Sequence, residues 1–323
     1  MLFSHLDHTD LHVSRACMGT MTFGSQADPA EAQRIVDLCF DNGVNFFDTA
    51  NVYNQGLSEE IAGKVLGPRR KDVILASKVR GQMKAPSEYG GLSRNAIRKA
   101  IVDSLTRLGT DYLDIYYLHM PDYDTPVEET LETMDQLRQE GKIRYIAVSN
   151  YSAWQMCEIH WICEKNGWQK PWIAQPMYNL VARGIEQEYI PFTRHFGISN
   201  VCYNPLAGGL LTGKQKKEQG PLSNTRFDRN EMYLKRYWND QHFQSVEELK
   251  NVAQTAGVTP VQLAIRWLVQ QEAANCIILG ASRAEQLQET LQAFESPALE
   301  PSVLESCDLA WKKLRGPAPF YNR

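Results

Sequence analysis

Short apolar runs alternate along the chain with longer segments of helical spacing. The runs cover residues 16–20, 45–47, 73–77, 112–118, 143–148, 172–174, 200–203 and 276–279, and read as strands. Between them, apolar residues recur every three or four positions over 29–42, 57–66, 94–108, 127–140, 152–167, 183–196, 243–256, 260–271 and 283–293, which predicts helices. Pro29 and Pro126 stand near first helical positions, Ser93 precedes 94–108 as a cap, and Gly43, Gly109 and Gly141 sit where helices should stop. Strand followed by helix, eight times, implies parallel strands covered on both faces. An open doubly wound sheet competes, but it usually carries G-x-G-x-x-G after its first strand, and that pattern is absent. The expected fold is therefore α/β: a (β/α)8 TIM barrel, one domain over 1–323, with a short N-terminal hairpin in 1–13 and an extra C-terminal helix and tail in 301–323. Segments 80–92 and 204–240 are long for connections and follow strands, so they are expected to lie over the mouth of the barrel.

Four polar residues lie at or just past the ends of these runs: Asp48, Tyr53, Lys78 and His119. Hydride reduction of a carbonyl leaves charge on oxygen, and some group must give that oxygen a proton while water is kept away. A phenol can do so if a nearby ammonium favours its ionised form, which makes Tyr53 the candidate donor and Lys78 the ammonium that raises its acidity. A lysine in a partly dry pocket keeps its charge only beside an anion, and Asp48 is the suitable carboxylate by strand position. His119 would aim the carbonyl oxygen. Singly, each has an ordinary reading: Asp48-Thr49 as a turn cap, Lys78 as a solvated strand end, His119 as a core histidine. Together they occupy consecutive strand ends, where a parallel barrel gathers its chemistry.

With no clustered metal ligands at strand ends beyond Asp48 and His119, a metal-dependent hydrolase is disfavoured and a hydride would come from a nicotinamide or flavin. The segment from Asn204 through Leu206, Gly208 and Gly209 to Lys214 follows a strand. Its glycines let backbone N–H groups approach a pyrophosphate, and Lys214 adds charge. Ser282 and Arg283 open a helix, where a 2′-phosphate would find free donors; a plain cap and a surface charge fit them equally well. Ser149, Asn150 and Gln175 offer partners for a carboxamide, and Tyr203 a flat face for a nicotinamide ring, though each also suits ordinary strand-end chemistry. Tyr233, Met120, Tyr123, Arg226 and Trp238 either line a substrate pocket, pack a loop or touch the cofactor.

Composition narrows the classes further. A net charge of -4 with no dense basic cluster argues against nucleic-acid or anionic-membrane surfaces, leaving a small molecule as the expected partner. Seven scattered cysteines, none in a C-x-x-C pair, fit reduced thiols of a cytoplasmic enzyme. No run approaches the ~20 apolar residues of a membrane helix, and the polar start does not resemble a signal peptide.

The ordered motifs Met18-Gly-Thr-Met-Thr-Phe-Gly24, Phe47-Asp-Thr-Ala-Asn-Val-Tyr53 with Ser58-Glu59, Ala76-Ser-Lys78, Tyr117-Leu-His119, Val148-Ser-Asn150, Tyr203-Asn-Pro-Leu206 and Gly280-Ala-Ser282 with Gln286 and Glu289 resemble the aldo-keto reductases over essentially the whole length. That resemblance implies a (β/α)8 barrel, NADPH/NADP+ bound in extended form, and Asp48, Tyr53, Lys78 and His119 as the catalytic tetrad. It implies cofactor contacts from Gly19, Thr20, Met21, Asp48, Ser149, Asn150, Gln175, Tyr203, Asn204, Leu206, Gly208, Lys214, Arg226, Gly280, Ser282, Arg283, Gln286, Glu289 and Thr290. Asn51 stands where many relatives carry an acid, and Thr290 where many carry an asparagine near the adenine.

The stretches 119–130, 149–154, 204–214, Arg236-Tyr-Trp238 with His242-Phe243, and the tail ending Tyr321-Asn-Arg323 look closest to the aflatoxin-aldehyde and succinic-semialdehyde reductase subgroup. This resemblance implies an oxidoreductase acting on CH-OH donors that reduces small aldehydes or dicarbonyls, often acid-bearing, and commonly a homodimer. Substrate contacts are expected from Tyr53, His119, Trp238 and Arg323, whose guanidinium would meet a carboxylate in two-pronged fashion. The alternative is a nucleotide-sensing regulatory subunit of the same fold with little turnover. The short stretch before Leu11 weighs against that alternative.

Overall fold

The computed structural model describes residues 1–84, 89–228 and 230–317. An antiparallel pair, β1 (Phe3–His5) and β2 (His12–Ser14), opens the chain. There follow β3 (Ala16–Gly19), α1 (Pro29–Asp41), β4 (Phe46–Asp48), α2 (Leu57–Leu66), β5 (Ile74–Val79), α3 (Arg94–Leu108), β6 (Leu113–Leu118) and α4 (Val127–Gln139). The second half adds β7 (Ile143–Ser149), α5 (Ala153–Asn166), β8 (Ile173–Gln175), α6 (Tyr189–Phe196), β9 (Ser199–Cys202), α7 (Glu231–Tyr237), α8 (Asp240–Thr255), α9 (Pro260–Val269), β10 (Cys276–Gly280), α10 (Ala284–Glu295) and α11 (Pro301–Arg315). Strands β3 to β10 pair in parallel and close into a barrel, with β10 joined to β3. The expected (β/α)8 barrel with its N-terminal hairpin is the fold.

Local chemistry starts and stops the helices. Asp28 caps α1 by accepting from the Glu31 N–H at 2.8 Å, with Pro29 at the first helical position. Ser93 caps α3, which ends on Gly109 in the left-handed region. Two helical predictions shift. Residues 183–196 divide into a single 3-10 turn at Gly184–Glu186 and α6, because Pro191 lacks an N–H and is accommodated only in a first helical turn. The long connection 204–240 contains α7, capped by Asn230, and α8 starts at Asp240 because Asn239 accepts from the His242 N–H at 3.1 Å.

Side chains alternate along each strand, and the barrel separates two apolar regions accordingly. Met18, Phe47, Leu75, Val79, Tyr116, Leu118, Ile146 and Val148 face the helices. Cys17, Phe46, Ala76, Ile115, Tyr117, Ala147, Ile173, Val201 and Cys276 pack together inside the barrel with Leu6, Leu11 and Val13 of the hairpin. The hairpin sits at the starts of the strands, where the Ser199 hydroxyl accepts from the Asp7 N–H at 2.8 Å and His8 stacks on Trp172. One end of the barrel is thereby plugged with hydrocarbon, and polar chemistry is confined to the other. Leu6 is fully buried in that plug and Leu2 is 45% exposed. Urea denaturation should show Leu6→Ala losing about 2–5 kcal/mol of stability, and Leu2→Ala changing it by less than about 0.5 kcal/mol.

Candidate functional site

Two residues beyond the inner layer on each strand, the same inward face reaches the barrel mouth. Phe46 leads to Asp48, Ala76 to Lys78, Tyr117 to His119, Ala147 to Ser149, Ile173 to Gln175 and Val201 to Tyr203. Register staggers some and pairs others: Asp48 lies opposite Ala76 and Lys78 opposite Tyr117, so Lys78 and His119 each stand two residues beyond the neighbouring polar end, whereas Ser149 lies directly opposite Gln175. Tyr53 arrives from a tight turn in which Asn54 and Gln55 take left-handed backbone angles, and the Asn54 amide steadies it by donating to the Met21 and Phe23 carbonyls.

The Lys78 side chain is wholly buried. Its ammonium donates to Asp48, to the Thr49 carbonyl at 2.8 Å and to the Tyr53 hydroxyl oxygen at 3.3 Å. Burial alone would strip the proton from Lys78, but Asp48 and Tyr53 outweigh it and hold the amine above its ordinary value. Gln175 donates to the second Asp48 oxygen at 3.0 Å, so the amide read from sequence as a carboxamide partner spends its NH2 group on the carboxylate. Tyr53 departs from the sequence expectation of raised acidity. Burial pushes its phenol above the ordinary tyrosine value; Lys78 pulls it down, Asp48 pushes it up, and the desolvation effect wins. The phenol therefore keeps its proton, while Lys78 occupies a lone pair on its oxygen and leaves the O–H free to point elsewhere.

The His119 ring meets Tyr53 edge-on, with centroids 5.9 Å apart. Burial, reinforced by the charges of Lys78 and Arg80, lowers its pKa to about 3, so the imidazole is neutral. Its Nδ1 is buried without a partner. A neutral proton donor, a charged amine behind it, and an imidazole with an unmatched nitrogen together can grip and protonate a carbonyl oxygen.

The other sequence-derived residues divide by what they touch. Asn150, at φ +63, donates to the His119 carbonyl at 2.9 Å and accepts from the Tyr203 hydroxyl at 2.7 Å, while Ser149 donates to the Gln175 carbonyl. Asn204 accepts from the Gly208 N–H at 2.6 Å and closes the turn that carries Leu206. Arg226 donates to the Tyr233 hydroxyl at 3.3 Å and crosses the end of β10 so closely that a Cβ on Gly280 would stand 2.6 Å from its NH2 group. Lys214 and Arg283 are exposed, and Arg283 holds the cap position of α10 without capping it. These cations suit an anionic cofactor lying across the β9 and β10 ends, where the Ala284 N–H at the α10 terminus is already taken by Glu31 at 2.6 Å.

Several others are engaged within the protein. The Thr20 hydroxyl pairs with Ser58, Gly19 packs against Ile278, and the Met21 carbonyl accepts from Asn54. Gln286 accepts from the N–H and hydroxyl of Ser282, Glu289 from Thr259, and Thr290 bonds the Leu287 carbonyl of its own helix. Trp238 packs between Phe227 and Phe243. Arg323 lies outside the described residues.

A supporting network has no counterpart in the sequence reading. Glu59, fully buried, is gripped by Arg107 through Nε at 2.8 Å and NH2 at 2.7 Å, and accepts from the Ser77 hydroxyl at 2.5 Å, next to Lys78. Glu59 falls in a recognised motif, but nothing in the spacing links it to Arg107, 48 residues away.

The aldo/keto reductase family model matches residues 15–312. Relatives include aflatoxin B1 aldehyde reductase member 2 of Mus musculus, 38% identical over 323 residues that span 95% of this chain and 87% of that protein. Aldo-keto reductase family 7 member A3 of Homo sapiens is 38% identical over 95% of this chain and 96% of its own. A probable voltage-gated potassium channel subunit beta of Arabidopsis thaliana is 37% identical over the same shares.

The lowered His119 pKa has a definite sign in stability. Between about 3 and 6.5 the unfolded chain takes up a proton that the folded chain refuses, so the contribution is complete above 6.5 and lost as pH falls toward 3. The His119 ring resonances should not titrate in NMR spectra between pH 5 and 8, and His119→Gln should blunt the acid sensitivity of unfolding over that window.

Proposed function

The chain belongs to the aldo/keto reductase family, and from that premise we propose that it reduces small aldehydes or dicarbonyls, including acid-bearing ones such as succinic semialdehyde, to alcohols with NADPH. One observation carries the reading: a protonated Tyr53 phenol whose oxygen is held by a buried ammonium, facing a neutral imidazole at the barrel mouth. Bound NADPH would supply the hydride to the carbonyl carbon. Tyr53 and His119 hold the carbonyl oxygen between them, and as negative charge grows there the Tyr53 proton moves to it. Lys78 stabilises the phenolate left behind, and Asp48 keeps Lys78 charged in a place that water does not reach. Tyr203, tethered to Asn150, offers the ring face for the nicotinamide, with Ser149, Asn150 and Gln175 near its carboxamide. Arg226, Lys214, Ser282 and Arg283 take the phosphates, and the last two favour the phosphorylated cofactor. Trp238 borders the substrate side.

The likeness to a probable channel beta subunit favours a second reading, a nucleotide-sensing regulatory protein that binds the cofactor and turns it over little. Steady-state assays over succinic semialdehyde, methylglyoxal and nitrobenzaldehyde separate the two: consumption of NADPH supports the reductase, and retention without consumption supports the sensor.

Tyr53→Phe should lower kcat by about 10²–10⁴-fold and leave the NADPH Kd within about twofold, because the hydroxyl serves the reacting oxygen and not the cofactor. Fluorescence titration alongside turnover checks both halves. Arg283→Gln should weaken NADPH by about tenfold and NADH by much less, read by the same titration.

A further inference from the structure

We infer that Arg80 selects a carboxylate on the substrate, so that the preferred carbonyl compounds are short aldehydes bearing an acid group. This deepens the reductase reading above and rests on it. Strand register places the residue. Val79 pairs with Leu118 across β5 and β6, and the His119 N–H donates to the Val79 carbonyl at 2.9 Å. Arg80 and His119 are therefore the first residues beyond that pair, side by side at the rim.

The backbone then breaks from the strand. Arg80 has φ +124, a conformation that a residue with a Cβ rarely adopts, and its carbonyl accepts from the Gly91 N–H at 3.0 Å, which turns the loop back. Gly81 follows directly, so a residue without that strain stands one position away. Strain of this kind persists where surrounding structure imposes it, and it concentrates at ligand clamps.

The guanidinium held there joins no described residue by a hydrogen bond or ion pair, and its Nε is buried without a partner. The residue is half-buried, and its two terminal nitrogens make no bond to a described residue, which leaves the fork free to take an anion. No charged group facing it forms an ion pair with it among the described residues. Asp122 is within electrostatic reach, but its oxygens accept from the Leu92 N–H at 2.7 Å, the Thr125 hydroxyl at 2.9 Å and the Asp124 N–H at 3.3 Å. Lys78 is balanced by Asp48, and His119 is neutral. Among the described residues, then, the Arg80 guanidinium on the β5 and β6 side of the mouth has no direct carboxylate partner.

That charge is not placed for the cofactor. In the barrel order, β5 lies four strands from β9, and β6 four strands from β10, so Arg80 stands across the mouth from Arg226 and the start of α10. An anion on Arg80 must belong to the molecule whose carbonyl sits at Tyr53 and His119. A guanidinium takes a carboxylate through two parallel hydrogen bonds, which would also orient the aldehyde.

The test compares 4-carboxybenzaldehyde with the neutral 4-nitrobenzaldehyde as substrates for the wild type, Arg80→Met, Arg80→Lys and Arg323→Met. Arg80→Met should raise the ratio of the two KM values, carboxylated over neutral, by about 10–100-fold, with kcat affected far less, and Arg80→Lys should recover part of the loss. An equal change for both substrates, no change, or a selective loss in Arg323→Met without one in Arg80→Met overturns the inference. Calorimetric titration of NADPH-loaded protein with 4-(hydroxymethyl)benzoate, which cannot accept hydride, reads the same contact without turnover. Binding that Arg80→Met abolishes supports Arg80 even where the wild type consumes no NADPH, in which case the reductase reading alone fails; binding that Arg80→Met leaves intact overturns the role of Arg80.

Discussion

A lysine ammonium shut away from water is the constraint on which this site depends. Full burial of Lys78 removes its hydration, and an amine in that position stays charged only if the protein replaces the lost water with fixed negative partners. Asp48, the Thr49 carbonyl and the Tyr53 oxygen are those partners, and each must be delivered to within bonding reach of one nitrogen. Two come from β4 and its first residue beyond, one from the turn that follows. The burial that threatens the lysine charge also holds the tyrosine proton in place, so a single dry environment keeps donor and amine in complementary states.

The barrel explains how so dry a polar cluster is reached without disrupting a core. Strand alternation alone carries Phe46 to Asp48 and Ala76 to Lys78, so on β4 to β9 the last inward step exchanges hydrocarbon for polar groups at the mouth. The hairpin seals the opposite end with Leu6, Leu11 and Val13, which leaves a single mouth. Behind the strands, the Glu59 and Arg107 pair ties α2 and α3 to Ser77, one residue from the amine. Arg107 also lies against Gly56, where a Cβ would stand 2.8 Å from its Cδ, so the turn bearing Tyr53 rests directly on that ion pair.

The mouth is electrically uneven. Arg226 places a cation beyond β9 and β10, in keeping with an anionic cofactor, and Arg80 places another beyond β5. Between them His119 stays neutral, because two cations and a dry setting both oppose its protonation. Charge is thus concentrated where anions would lie and withheld from the position where a carbonyl would react.

The sequence by itself determined the eight strands, their parallel order and the polar residues at their ends, because side-chain period and end signals are properties of neighbouring residues. The family resemblance added the roles proposed for Tyr53 and His119. The helix α7, read as loop, was lost because its seven residues are too short for a periodic signal, and Pro191 moved a helix start that apolar spacing placed six residues earlier. What only the tertiary structure decided was who partners whom across the chain: Gln175 on Asp48, Glu59 on Arg107, Trp238 against Phe227 and Phe243, and the Arg80 side chain with no hydrogen-bond partner among the described residues. It also reversed the expected direction for Tyr53. Spacing along a chain records which face a residue shares with its neighbours, whereas desolvation and charge are sums over everything packed around a group, and those sums exist only once distant strands have closed on one another.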